Sequence, residues 1–142
     1  MNDLTTIDDS LFEDLKGLEI LELGNNNISS LSITVFSELA NLKNLSLDHN
    51  QLKKIDANLF SLKNLKELTL NHNQLTDINE NAFNGLANLD QLYMSSNKLA
   101  HAEENVFKNL NSLKEVDLYS NELTETEQTI LKENCQQIIF IF

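Results

Sequence analysis

The 142-residue chain has no proline, three glycines (Gly17, Gly24 and Gly85) and one cysteine, Cys135. With so few breakers, its connecting segments are predicted to form short helical or 3₁₀ turns. The same scarcity of glycine excludes a glycine-rich phosphate loop. A single cysteine excludes an intramolecular disulfide, which fits a reducing compartment or a bacterial origin. No apolar run reaches the length of a membrane span. The opening residues, MNDLTTIDDS, are acidic and polar and carry neither the basic nor the apolar region of a secretory signal peptide. The expected location is therefore the cytoplasm, or, for a bacterial effector, export without a recognisable signal; an extracellular fragment is the alternative. Basic residues are also few. Ten Lys and Arg face 22 Asp and Glu, a formal charge of −12. That balance disfavours nucleic acid as a partner and favours a protein or peptide of basic character.

What the chain does have is repetition. LEILELGNNNI (18–28), LKNLSLDHNQL (42–52), LKELTLNHNQL (65–75), LDQLYMSSNKL (89–99) and LKEVDLYSNEL (113–123) share the frame L-x-x-L-x-L-x-x-N-x-L, at steps of 24, 23, 24 and 24 residues. The second half of each unit repeats as well. Phe12, Phe36, Phe60, Phe83 and Phe107 form one register, and Leu15, Leu39, Leu62, Leu86 and Leu110 another. The 23-residue unit loses its residue between Phe60 and Leu62.

In each unit apolar and polar residues alternate with strand periodicity. Leu21/Leu23, Leu45/Leu47, Leu68/Leu70, Leu92/Met94 and Val116/Leu118 are predicted to point inward from stacked parallel strands. Asn26, Asn50, Asn73, Asn97 and Asn121 stand where the chain leaves each strand, and are predicted to satisfy buried backbone groups. The five phenylalanines are predicted to stack as a spine on the wider side.

These motifs resemble the leucine-rich repeat family over roughly residues 2–134, and the convex-side phenylalanine is similar to its 24-residue class. The resemblance implies an α/β solenoid of about six turns, with a curved parallel sheet on its concave face and short helices or 3₁₀ turns on its convex face. Residues 1–17 read as a partial first repeat, 18–123 as five repeat strands with loops, and 124–142 as a helix-then-strand cap similar to that of some bacterial members. In that cap, Ile130, Leu131 and Cys135 are expected to face inward, Leu131 taking the place of the phenylalanine. The partial first repeat implies an open apolar edge, and with it self-association of the chain as an alternative role. A recognition domain of a larger enzyme or receptor is a further alternative.

Outward positions form four columns: Ile20, Asn44, Glu67, Gln91, Glu115; Glu22, Ser46, Thr69, Tyr93, Asp117; Gly24, Asp48, Asn71, Ser95, Tyr119; and Asn25, His49, His72, Ser96, Ser120. The core does not need these residues, so they are free to bind. The family implication is protein recognition without catalysis. The candidate partner-binding residues are Glu22, Asp48, His49, Glu67, Asn71, His72, Gln91, Tyr93, Asp117 and Tyr119. Tyrosines are frequent interface anchors, and the acidic members suit lysine or arginine. His49 and His72 occupy equivalent places one turn apart, about 5 Å by strand spacing. With Asp48 they offer up to three metal ligands. Against a site, alternate positions in a strand face differently, no outer partner for the imidazoles can be named, and a structural site usually needs four ligands, so no metal or cofactor is assigned. Cys135 lies too far along the chain from either histidine to form a nucleophilic pair.

Overall fold

The computed structural model describes residues 2–103 and 105–142. Its main sheet has six parallel strands in the order β1 (Ile20–Glu22), β2 (Asn44–Ser46), β3 (Glu67–Thr69), β5 (Gln91–Tyr93), β7 (Glu115–Asp117) and β8 (Ile139–Ile141). Each step between the repeat strands joins equivalent residues, as in Leu45↔Leu68 and Leu68↔Leu92. The chain is thus a parallel β-solenoid of about five turns. On the convex side a smaller pair, β4 (Asp77–Ile78) and β6 (His101–Ala102), runs parallel as well.

The core is one continuous row of leucines, from Leu23 through Leu47, Leu70 and Met94 to Leu118, backed by the phenylalanines. Leu21 is only half-buried because β1 is an edge strand. No single turn encloses its own side chains, so each buried leucine, contributing about 2 kcal/mol of transfer free energy, depends on both neighbouring turns.

The asparagines hold this stack together. Asn73 donates from Nδ2 to the carbonyls of Leu70 (3.1 Å) and, one turn back, Leu47 (3.0 Å), and its Oδ1 accepts from the N–H of Leu52 (3.0 Å). Asn50, Asn97 and Asn121 repeat the pattern with their own neighbours. Asn26 takes its N–H from Leu4, so residues 2–4 fill the half-turn before β1. A second ladder runs on the far side of the solenoid. Asn41, Asn64 and Asn88 each donate to a carbonyl of the preceding turn at 2.8 Å, and Ser112 does so at 3.1 Å. Its signal lay in the residue before the first leucine of each unit.

The convex segments are short turns closed by i→i+3 hydrogen bonds, as from Val35 to Ser32 and from Leu86 to Phe83; among the described residues one of them is a 3₁₀ helix, Asp9–Phe12. Two expectations need correction. The phenylalanine spine is not continuous. Phe12, Phe36 and Phe60 stack at 6.2 and 6.3 Å, and Phe83 with Phe107 at 6.1 Å, but among the described residues no stacked pair joins Phe60 to Phe83. The break coincides with the missing residue. In the other units the leucine three places after the phenylalanine donates its N–H back to it, as Leu39 does to Phe36. With only Ser61 between Phe60 and Leu62, that turn cannot close, and Gly85 approaches the Phe60 carbonyl instead. A Cβ on Gly85 would lie 2.9 Å from that oxygen, and its φ of +96° also favours glycine.

The second correction concerns the cap. Helix α1 (Glu125–Asn134) buries Leu131, and Cys135, which caps its end, is buried as well, but Ile130, about 100° around the helix from Leu131, is exposed. Phe140 of β8 also packs against Phe107, centroids 5.8 Å apart, so Leu131 is not the sole successor to the spine. The start of α1 is a capping box. Thr124 accepts from the Glu127 N–H, while Glu127 accepts from the N–H and hydroxyl of Thr124. His101, on β6, meets the same carboxylate at 2.9 Å and ties the cap to the preceding turn.

Asn73→Ala strands the Leu52 N–H and weakens two buried carbonyl contacts, so it should lower stability by about 3 kcal/mol in urea unfolding. Asn121→Ala, at a more exposed rung, should lose less. The hydrogen bonds from His101 and the Thr124 backbone hold the Glu127 carboxyl below its ordinary value of 4.5. A depressed carboxylate stabilises the fold above its unfolded pKa, and that contribution is lost as pH falls through the folded value. Glu127→Gln should therefore flatten the acid limb of a stability–pH curve below about pH 4.5.

Candidate functional site: the concave sheet face

Each strand of the repeat presents two outward side chains around one buried leucine or valine. Parallel register brings the first column together as Ile20, Asn44, Glu67, Gln91 and Glu115, and the second as Glu22, Ser46, Thr69, Tyr93 and Asp117. Both columns continue into β8, where Glu115 pairs with Ile139 and Asp117 with Ile141. These isoleucines are 65% and 43% exposed, so the acidic face ends in an apolar step. Sequence reasoning missed them as members of the face because the IIFIF segment lacks the leucine frame. Its alternation was the available signal.

The third column lies just past the strands. Tyr119 is 62% exposed there, and its N–H is held by Asp117 Oδ1 at 2.9 Å. Asn71 Oδ1 accepts from the Ser95 N–H at 2.7 Å, so its side chain is engaged in the framework. Asp48 accepts from the Ser46 hydroxyl.

The fourth column is not part of the strands. Asn25, His49, His72, Ser96 and Ser120 all have φ between 52° and 58°. They form the left-handed residue of the turn that sends the chain inward to the ladder asparagine, a conformation usually given to glycine or asparagine. His49 and His72 thus stand on the rim of the face, exposed, with rings stacked 4.1 Å apart at 12°. Face-to-face rings send their in-plane lone pairs side by side and do not converge on one ion. Asp48 Oδ2 lies 4.0 Å from His49 Nε2. Among the described residues no group of three or more His, Cys, Asp or Glu side chains is placed to hold a metal. Cys135 is buried, which pushes its thiol up from its ordinary value.

Charge is sorted across this surface. One rim carries Glu19, Lys43, Lys66, Asp90 and Lys114 in consecutive turns, and these neutralise one another: Lys43–Glu19 at 2.7 Å, Lys114–Asp90 at 3.2 Å and Lys66–Asp90 at 3.9 Å. Among the described residues no Lys or His lies within 4.0 Å of Glu22, Glu67, Glu115 or Asp117. Glu67 accepts only from the amide of Asn44, at 3.0 Å. Tyr93 stands amid these acids, with Asp117 beside it across the sheet and Glu67 and Glu115 on the diagonals. Partial burial, then Glu115, Glu67 and Asp117, raise its phenol above 10.0. A shallow hollow of about 220 Å³ occupies the β1–β3 end of the face, lined by Ile20, Glu22, Asn44, Ser46, Glu67 and Thr69 among others.

A family model described as leucine rich repeat matches residues 1–52 and 40–99. The chain belongs to the leucine-rich repeat family. Such domains are generally used for binding other molecules and are typically non-catalytic. The repeat domain aligns over 99% of its length with a leucine-rich repeat protein of Leptospira interrogans, at 26% identity and a TM-score of 0.88. It aligns over 99% with TLR13, solved in complex with ssRNA13, at 31% identity and a TM-score of 0.87. It aligns over 98% with a chain of the Drosophila Toll–Spatzle complex, at 28% identity and a TM-score of 0.86. The chain spans 35% of the Leptospira protein and 20% of each of the other two. No curated protein matches it.

The environment of Tyr93 can be read directly. In a Tyr119→Phe background, ultraviolet titration of the remaining phenol should give a midpoint above 10.0. Glu115→Gln should bring that midpoint down, because it removes the largest of the three charge contributions.

Proposed function

We propose that this repeat domain is a non-enzymatic interaction module that binds a protein or peptide through its concave face. The observation that carries this reading is the set of carboxylates on the face, Glu22, Glu67, Glu115 and Asp117, left without a cation while the rim lysines are paired. With them stand Tyr93 and Tyr119, the kind of side chain that anchors interfaces at low entropic cost. Gln91, His49 and His72 border the same surface, and Asp48 and Asn71 shape its margin. The Toll–Spatzle and TLR13 complexes show that relatives of this fold are found with both protein and RNA. An RNA backbone would meet uncompensated carboxylates here, and the net charge of −12 would repel it.

Selection from a displayed peptide library, followed by hydrogen exchange of the complex, tests the reading. Binders should protect amides of β3, β5 and β7 and lose affinity with the Tyr93→Ala/Tyr119→Ala double variant. Binders that protect only the convex turns, or that ignore the double variant, would overturn it.

A further inference from the structure

We infer that the β5–β8 half of the concave face is a docking surface for an extended peptide that carries a lysine or arginine next to aliphatic residues, its cation seated on the Tyr93 ring and its aliphatic side chains on Ile139 and Ile141. The inference rests on the concave-face reading and names the partner chemistry.

Charge complementarity sets the occupant. Glu67, Glu115 and Asp117 surround Tyr93 through the strand register, one strand spacing or one diagonal away, which is about 5 to 8 Å between Cβ atoms. A cation above the ring therefore meets the aromatic face and three carboxylates together, and a ring in such a setting attracts it more than an isolated ring does. Among the described residues no cation pairs with these carboxylates, and Lys66 and Lys114, in the neighbouring column, are engaged with Asp90. Among the described residues the Tyr93 hydroxyl has no hydrogen-bond partner, so nothing draws the ring away from the face. Partial burial first, and then the negative charge of Glu115, Glu67 and Asp117, raise the phenol ionisation.

The second half of the specificity comes from β8. Ile139 and Ile141 extend the two acidic columns by one strand, about 5 Å beyond Glu115 and Asp117. Ile139 is the most exposed large apolar side chain among the described residues, and Ile141 is exposed as well. A purely basic peptide would leave them wet, and a purely apolar one would desolvate the carboxylates without compensation. A peptide with both kinds of residue in succession satisfies both.

Fluorescence anisotropy with three labelled peptides tests this: Lys-Lys-Gly-Leu-Leu, Glu-Glu-Gly-Leu-Leu and Lys-Lys-Gly-Gly-Gly. The first should bind most tightly and the second not at all. Tyr93→Ala should weaken the first by about fivefold, and Tyr93→Phe should leave it unchanged, since the ring and not the hydroxyl forms the seat. Ile141→Ser should weaken Lys-Lys-Gly-Leu-Leu but not Lys-Lys-Gly-Gly-Gly. Raising salt from about 0.1 M to about 1 M should loosen both lysine peptides, as the Debye length falls from about 10 to about 3 Å. The convex pair Glu80→Gln/Glu103→Gln should change nothing. If that convex pair weakens binding as much as Glu67→Gln/Glu115→Gln, the attraction is only net charge and the seat is rejected. If library binders protect the concave strands yet ignore Tyr93→Ala and Glu67→Gln/Glu115→Gln, the seat falls and the concave-face reading stands. If none protects that face, both fall.

Discussion

The structure depends on one side chain used five times. Where each strand ends, two carbonyls and an N–H are turned into an interior that water does not reach. The ladder asparagine has a matching set of atoms: an amide that donates to its own turn and, in all but the first, Asn26, to the one before, and an oxygen that accepts from the half-turn behind. Glutamine would place the amide one methylene too far out, and aspartate has no proton to give. Because every rung joins adjacent turns, the period of the chain is fixed by this bond as much as by the leucines.

Reaching the ladder makes a demand on the residue just before it. That residue must turn left-handed, and here it does so five times without glycine. At two of the five positions it is histidine, and the equivalent places one turn apart stack their rings. The LDHN and LNHN likeness that suggests a duplicated chemical site is thus a consequence of turn geometry. The histidines border the face but are held by the backbone at the turn, while the strand positions before them carry the freely projecting side chains.

Most of this was legible in the sequence. The register of leucines, asparagines and outward columns follows from counting, because a repeat places equivalent residues side by side, and the columns of Glu67, Gln91, Glu115 and of Thr69, Tyr93, Asp117 were found as read. What counting misses is local. The left-handed turn has no composition signal when histidine and serine fill it. The spine breaks at Phe60 because one deleted residue alters a hydrogen-bonded turn, and the close approach of Gly85 to that carbonyl involves a residue from the following unit. Ile130 was misplaced because an apolar residue near a helix face is not always on it. Ile139 and Ile141 left the frame of the repeat and joined its sheet all the same.

The separation between framework and face explains how so acidic a chain can remain folded while keeping an acidic face. Like charges on neighbouring strands repel, and column neighbours sit about 5 Å apart. The rim answers this by pairing opposite signs at three of its four steps, Glu19 with Lys43, Lys66 with Asp90 and Asp90 with Lys114, and only Lys43 and Lys66 are like-charged neighbours. The face answers it by spacing. Glu67 and Glu115 are separated by Gln91, and Glu22 and Asp117 by Ser46, Thr69 and Tyr93. The remaining repulsion is small enough for the asparagine ladder and leucine core to hold, yet among the described residues no lysine or histidine pairs with these carboxylates. On the proposed reading, a face kept in that condition favours a partner that brings positive charge to it, with the tyrosine and isoleucines setting where on the face that charge is received.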